Sequence, residues 1–290
     1  MKLLVTGATG TVGGHVVRQL VSTRPEHGHD VVVLVRGAAR ARATGAVPEG
    51  VQVVQGDLTD PEDLRRALEG VDRAHLTMAD DDGAAFAGAA AEADLQHVVL
   101  LSSFTAATDL PSGEANAITA RHRAGEAALT GAGVPATFLR AAGFDSNVLL
   151  WAAGARPGGN GAVRTPHPDV ALPVVDPADV AAAAVAVLLA QTPPTGAFSI
   201  TGPERISVRQ QARVLAEVLS RPLEVEAISE AEAARDVFPP GTPHSVTTSV
   251  LETVGPAAAV LEPSGDVRAL TGRAPRTFAQ WARDSAGALS

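Results

Sequence analysis

The chain has 290 residues, 46% of them hydrophobic, and a formal net charge of −9. That is enough apolar material for one large α/β domain with or without an appended lobe, while the negative charge argues against nucleic acid or an anionic membrane as partner. With no cysteine there can be no disulfide, iron–sulfur cluster or thiol nucleophile.

The chain opens on a short apolar strand, Lys2–Thr6, followed by Gly7-Ala8-Thr9-Gly10-Thr11-Val12-Gly13 and an amphipathic helix over Val12–Ser22. The spacing of Gly7, Gly10 and Gly13 is the glycine-rich turn that holds a dinucleotide. The first glycine permits the tight turn, the second lets backbone approach a pyrophosphate, and the third lets helix and strand pack closely. Further strands are expected at Val31–Val35, Val51–Gln55, Arg73–Thr77, His97–Leu101 and Ala136–Arg140. Several are nearly unbroken apolar runs, as in a parallel sheet buried on both faces. Helical patterns lie between them at Pro61–Glu69, Gly83–Ala93 and Glu114–Thr130, and Asp60-Pro61 forms a cap and first-turn pair. His27-Gly28-His29-Asp30 lacks further ligands and reads as a solvated loop rather than a metal site; no metal site is expected.

After Arg140 the pattern loosens. Residues 154–173, rich in Gly and Pro, read as a loop or lid. A helix returns at Asp176–Gln191, then a strand at Ala197–Thr201, a helix at Ser207–Ser220, a strand near Leu223–Ile228 and short helices. The expected fold is α/β: a doubly wound, Rossmann-like parallel sheet with a small C-terminal α/β substrate lobe. Residues 1–153 form the dinucleotide-binding domain, and 154–290 the lid, the returning helix and the lobe. No apolar run approaches the roughly 20 residues of a membrane span. The N-terminus goes straight into a strand, so a cytoplasmic protein is expected, monomer or homodimer.

In order and spacing the sequence resembles the NmrA-like branch of the atypical short-chain dehydrogenases over nearly its whole length. The resemblance rests on Leu3–Gly13, Val35-Arg36, Gly56-Asp57-Leu58, Leu101-Ser102-Ser103 and His122-xxx-Glu126. It continues through Gly133–Arg140, Phe144-xx-Asn147, Asp176–Val180 and Thr277-Phe278-xx-Trp281. Short-chain dehydrogenases with this turn usually carry a Tyr-xxx-Lys pair, tyrosine as proton donor and lysine lowering its pKa. Here there is no tyrosine, and the only lysine is Lys2. Ala117 and Arg121 stand where that pair would, and Ala141-Ala142 replaces the usual proline after the sixth strand.

Arg36 ends the second strand, where an NAD-specific fold places an acid on the ribose hydroxyls. A guanidinium there suits a 2′-phosphate, with Arg40 close enough to help; the other reading is a solvated loop arginine. NADP(H) is the expected cofactor. It is held by Gly7, Thr9, Gly10, Thr11, Val12, Gly13, Arg36 and Arg40. The resemblance adds Asp57 and Leu58 at the adenine, Asp57 being otherwise a helix-start residue for Pro61–Glu69 where Asp60 does better, and Arg121 at the nicotinamide ribose in place of lysine. Thr77 and Met78 leave the fourth strand at the ligand-binding edge, or are simple strand ends. Ser102 and Ser103 leave the fifth strand there too, either to polarise a substrate carbonyl or as a turn cap. His122 and Glu126, spaced i,i+4, are able to pair, and His122 is the one imidazole placed to give a proton. Phe104, Phe144, Val148 and Trp151 make either an apolar substrate pocket or interlobe core.

The function expected is NADPH-dependent reduction of a ketone or quinone on a mostly apolar, ring-bearing small molecule, without a catalytic tyrosine. The rival is a non-catalytic NADP(H) sensor that binds a partner protein.

Overall fold

In a computed structural model the structure describes residues 1–78, 81–152 and 162–289. Its first part alternates β1 (Lys2–Thr6), α1 (Thr11–His27), β2 (Asp30–Val35), α2 (Ala38–Ala43), β3 (Gln52–Gln55), α3 (Pro61–Leu68), β4 (Arg73–Leu76), α4 (Ala84–Glu92), β5 (His97–Ser103), α5 (Ala117–Gly131) and β6 (Ala136–Ala141). A short α6 (Val148–Trp151) follows, then β7 (Ala162–Thr165), β8 (Ala171–Leu172), α7 (Pro177–Leu189) and β9 (Gly196–Ile200). The rest comprises β10 (Ile206–Ser207), α8 (Val208–Val218), β11 (Glu224–Ala227), α9 (Glu230–Asp236), α10 (His244–Thr253), α11 (Asp266–Thr271), α12 (Phe278–Asp284) and α13 (Ala286–Leu289).

Seven strands form one parallel sheet in the order β3-β2-β1-β4-β5-β6-β9. Successive side chains of β1 go to opposite faces: Leu3 and Val5 enter the core under α1 and α7, and Leu4 the core under α3, α4 and α5. That division explains the unbroken apolar runs, since neither face of these strands meets water. The order reverses between β1 and β4, and in such a sheet ligands bind outside the carboxyl ends of the strands at that point. This is the doubly wound, Rossmann-like fold.

Local chemistry sets the element ends. Asp60 caps α3 by accepting the N–H groups of Glu62 and Asp63, with Pro61 in the first turn. Gly28 closes α1 in the left-handed conformation, φ +59°. The stretch around Arg40 is the short helix α2. His29 departs from the solvated-loop reading: it is buried, and its Nε2 lies 2.9 Å from the Leu20 carbonyl oxygen.

The loop expected over 154–173 holds two strands. β7 pairs with β11 and β8 with β10, because the Gly and Pro residues flank short β-forming runs. The part of that stretch at 154–161 lies outside the described residues. Trp151, Val163, Leu251 and the edge-on ring of Phe238 form one lobe core, and Val148, Phe278 and Trp281 another. Among the described residues no helix is long and apolar enough to cross a membrane.

Candidate functional site

β1 delivers the glycine turn to the carboxyl edge of the sheet. Gly7 adopts φ +64°, a conformation costly for any residue with a Cβ, and its carbonyl accepts the Gly10 N–H at 2.8 Å. A Cβ on Gly13 would stand 2.2 Å from the Gly7 oxygen, so only glycine lets α1 start this close to β1. Gly10 caps α1 without a side chain, and the first turn carries no acid. The opening N–H groups and the positive end of the helix dipole are thus left for an external anion. The residues present fit the pyrophosphate of a dinucleotide.

Beside the turn lies a cleft of about 950 Å³. Gly7 and Thr9 form one wall, and Arg36 and Arg40 stand at the end beyond β2. Asp57 and Leu58 follow β3, while Thr77, Met78 and Arg121 close the far side. Gly10, Thr11, Val12 and Gly13 complete the start of α1, with Val12 and Gly13 buried. Asp57 accepts the N–H of Thr59 at 2.8 Å and its hydroxyl at 2.7 Å, which hold its carboxyl below the usual range, with Arg36 adding to the effect. Asp63 accepts the Asp57 N–H at 2.7 Å, an approach only Gly56 permits, since a Cβ there would meet Asp63 at 2.7 Å. Asp57 is therefore a fixed loop acid, and the α3 cap is Asp60.

In the middle of the cleft Thr6, Asp82 and Gly125, not singled out in the sequence, hold Thr77, Met78 and Arg121 in place. The Thr6 hydroxyl accepts the Thr77 N–H at 2.8 Å and donates to the Thr77 carbonyl at 3.2 Å, locking the ends of β1 and β4 together. Arg121 donates to the Met78 carbonyl at 3.1 Å and lies 3.9 Å from Asp82. Met78 packs so tightly on α5 that a Cβ at Gly125 would fall 2.1 Å from its sulfur. The signal for that contact was a glycine inside an otherwise helical run, conspicuous only once a reason for it is sought.

At the other end three expectations change. Glu126 does not pair with His122; it accepts from Ser102 Oγ at 2.6 Å and from Arg140 Nε and Nη2 at 2.9 and 2.6 Å. Ser102 is buried, and its hydroxyl proton is committed to that carboxylate. Among the described residues His122 Nδ1 is buried without a partner, and burial, with Arg121 adding, pushes the imidazole down to about 4. A shift in that direction favours the neutral imidazole. Ser103, on the opposite side of β5 from Ser102, is half-buried.

The four apolar candidates do not share a pocket. Phe104 packs with Leu110, Leu172 and Ala258, and Phe144 lies against the core beneath α1 and α7. Val148 and Trp151 belong to the two lobe cores, so the interlobe-core reading prevails for them. Phe104 also borders a second cleft of about 600 Å³ with Arg140 and Phe198. The tyrosine-equivalent Ala117 donates its N–H to Ser249 Oγ of α10 at 2.9 Å, and the Asn116 amide donates to Glu252 at 2.7 Å. Among the described residues no cluster of His, Asp or Glu is placed to hold a metal.

The model of the NmrA-like family matches residues 1–282. The chain belongs to the NmrA-like family. It is 39% identical over 296 residues to a (4-alkanoyl-5-oxo-2,5-dihydrofuran-3-yl)methyl phosphate reductase of Streptomyces griseus, covering 99% of both chains. It is 31% identical to an NAD(P)H azoreductase of Xenophilus azovorans, again over 99% of each. Its fold superposes with a TM-score of 0.80 on the NADPH complex of an Escherichia coli quinone oxidoreductase, at 24% identity over 97% of this chain and 99% of that one.

Proposed function

We propose that this NmrA-like protein is an NADPH-dependent reductase of an apolar, ring-bearing molecule whose carbonyl is conjugated, as in a quinone or an alkanoyl furanone. It is an NAD(P)H-dependent oxidoreductase: one sequence relative is a reductase by name and the other an NAD(P)H azoreductase. One observation carries the reading. The cleft runs from Arg36 and Arg40, past the opening N–H groups of α1, to Arg121, a path with a cation for a 2′-phosphate and helix N–H groups for the pyrophosphate.

The bound cofactor supplies hydride. The chain's own part is to bind and orient the reactants and to stabilise the negative charge that develops on the substrate oxygen. Ser103 is the hydroxyl for that task, since Ser102 donates to Glu126. No tyrosine exists and burial favours the neutral form of His122, so the proton comes from water or from an acidic hydroxyl of the substrate. A conjugated carbonyl suits such a site because hydride addition gives a delocalised enolate or hydroquinone anion, which needs no strong acid beside it. The furanone relative favours the conjugated class over an isolated ketone.

The test is NADPH oxidation against a panel of naphthoquinones, alkanoyl butenolides and polycyclic aromatic ketones. Turnover of at least one conjugated member is expected. NADPH binding without reduction of any member, with affinity for a protein partner that changes on NADPH binding, would replace the enzyme by a sensor.

A further inference from the structure

We propose that Thr105 is a positioning residue that fixes the Ser103 hydroxyl as a donor toward the substrate oxygen. The assignment rests on the reductase reading above.

β5 ends at Ser103, and the chain turns into a single 3-10 turn, Phe104–Ala106, capped by the Ser103 side chain. Ser103 Oγ lies 3.2 Å from the Thr105 nitrogen and 3.0 Å from Thr105 Oγ1. The direction of the hydroxyl pair follows from what else each oxygen can reach. Thr105 is fully buried, and among the described residues its Oγ1 meets only Ser103. Were Ser103 the donor, the Thr105 proton would be left in a dry interior with no acceptor, the arrangement native structures avoid. Ser103 is half-buried at the sheet edge and can pass its own proton outward. Thr105 therefore donates, through both its N–H and its O–H.

The consequence is chemical. A serine oxygen has two lone pairs, and Thr105 fills both. What remains is the Ser103 proton, directed away from Thr105. Ser103 is held as a donor only, the polarity an oxyanion needs, and accepting from Thr105 O–H polarises the Ser103 O–H further. Because the Thr105 hydroxyl has no partner behind it among the described residues, the pair stabilises charge without relaying a proton from solvent. The cap of the 3-10 turn is made by the Thr105 N–H alone, so a side chain without the hydroxyl keeps the cap and loses only the second bond.

Thr105→Val keeps the shape and the backbone cap and removes that second bond. With NADPH and a naphthoquinone that the wild type reduces, kcat should fall about tenfold, with KM for both substrates within about twofold. Thr105→Ser should recover to within roughly threefold of wild type, and Ser103→Ala should lose roughly a hundredfold. In the Ser103→Ala background Thr105→Val should cost nothing more, because Thr105 acts only through Ser103. A merely structural role would leave the two losses additive. If Thr105→Val does not fold, Thr105→Cys, of similar volume and a weaker donor, makes the same comparison. Wild-type-like kcat in Thr105→Val, or additive losses in the double variant, overturns the assignment while the reductase reading stands. A wild type that binds NADPH and reduces no panel member removes the reading and this assignment together.

Discussion

Asp145→Asn should make the protein more stable, and by an amount that grows with pH. Asp145 follows Phe144 where two loops pair: its N–H donates to the Val175 carbonyl at 2.9 Å, and the Val175 N–H to Gly143 at 2.9 Å. The pairing brings its carboxyl, 1% exposed and with neither oxygen hydrogen-bonded among the described residues, beside Asp176 and Asp179. Arg276 is the facing cation, but it is engaged elsewhere. Its guanidinium lies 2.9 Å from Asp176 and 2.6 Å from Asp284, and its N–H donates to Asp179 at 2.6 Å. Burial first, then the two neighbouring carboxylates, pushes Asp145 up to about 8 against Arg276's opposing pull. In the unfolded chain the same group ionises near 3.8. Between these values the folded protein holds a proton that the unfolded chain releases, so stability falls as pH rises through that window. Taken over the whole window the loss is on the order of 5 kcal/mol by pH 8. Asparagine fills the same space without ionising. Urea unfolding of both proteins from about pH 4 to 8 should show curves that converge at the acid end, with the variant ahead by several kcal/mol at the alkaline end. A gap that does not change with pH, or a variant no more stable at pH 8, would refute the reasoning.

Three further outcomes test the site. NADPH should bind at least about tenfold tighter than NADH, and Arg36→Asp should erase or invert that preference; equal affinities in the unmutated protein remove the 2′-phosphate role of Arg36. Gly10→Val should abolish NADPH binding in titration calorimetry in a variant that still folds, since the side chain stands at the exposed mouth of the turn, with a lowered melting temperature because its Cβ comes 3.2 Å from the Gly7 oxygen. Normal binding in that folded variant would mean the phosphates lie elsewhere. His122→Ala should lower turnover by far less than the roughly hundredfold of a lost general acid, and the kcat/KM profile should show no His122 ionisation between about pH 5 and 8. Complete loss of turnover with NADPH binding intact would restore His122 as the acid.

The sequence carried most where local pattern and tertiary role coincide. Leu3–Gly13 announces strand, turn and helix because each glycine answers a separate local demand, and Asp60-Pro61 marks a helix start by its own chemistry. It carried least where adjacent residues part ways. Ser102 and Ser103 read alike in one dimension, yet strand alternation sends one to Glu126 and leaves the other at the edge. The i,i+4 spacing of His122 and Glu126 correctly places both on one stripe of α5. It does not reveal that Arg140, from the next strand, takes the carboxylate with two hydrogen bonds. The aromatic residues misled for a related reason: scarcity draws attention to a ring but does not say which of several small cores it fills. β7 and β8 hid in a Gly- and Pro-rich stretch because their partners, β11 and β10, come later in the chain.

The join between α5 and α10 bears on attempts to re-engineer this chemistry. Ala117 is bonded through its N–H to Ser249, and Asn116 holds the same helix at the Ser249 carbonyl and at Glu252. The address at which other dehydrogenases keep their acid is here a seam between α5 and α10. An Ala117→Tyr graft would bring the phenol into a neighbourhood already organised around α10, with Arg121 rather than lysine one turn further along. The residue can be restored by one codon; the surroundings that make it an acid cannot.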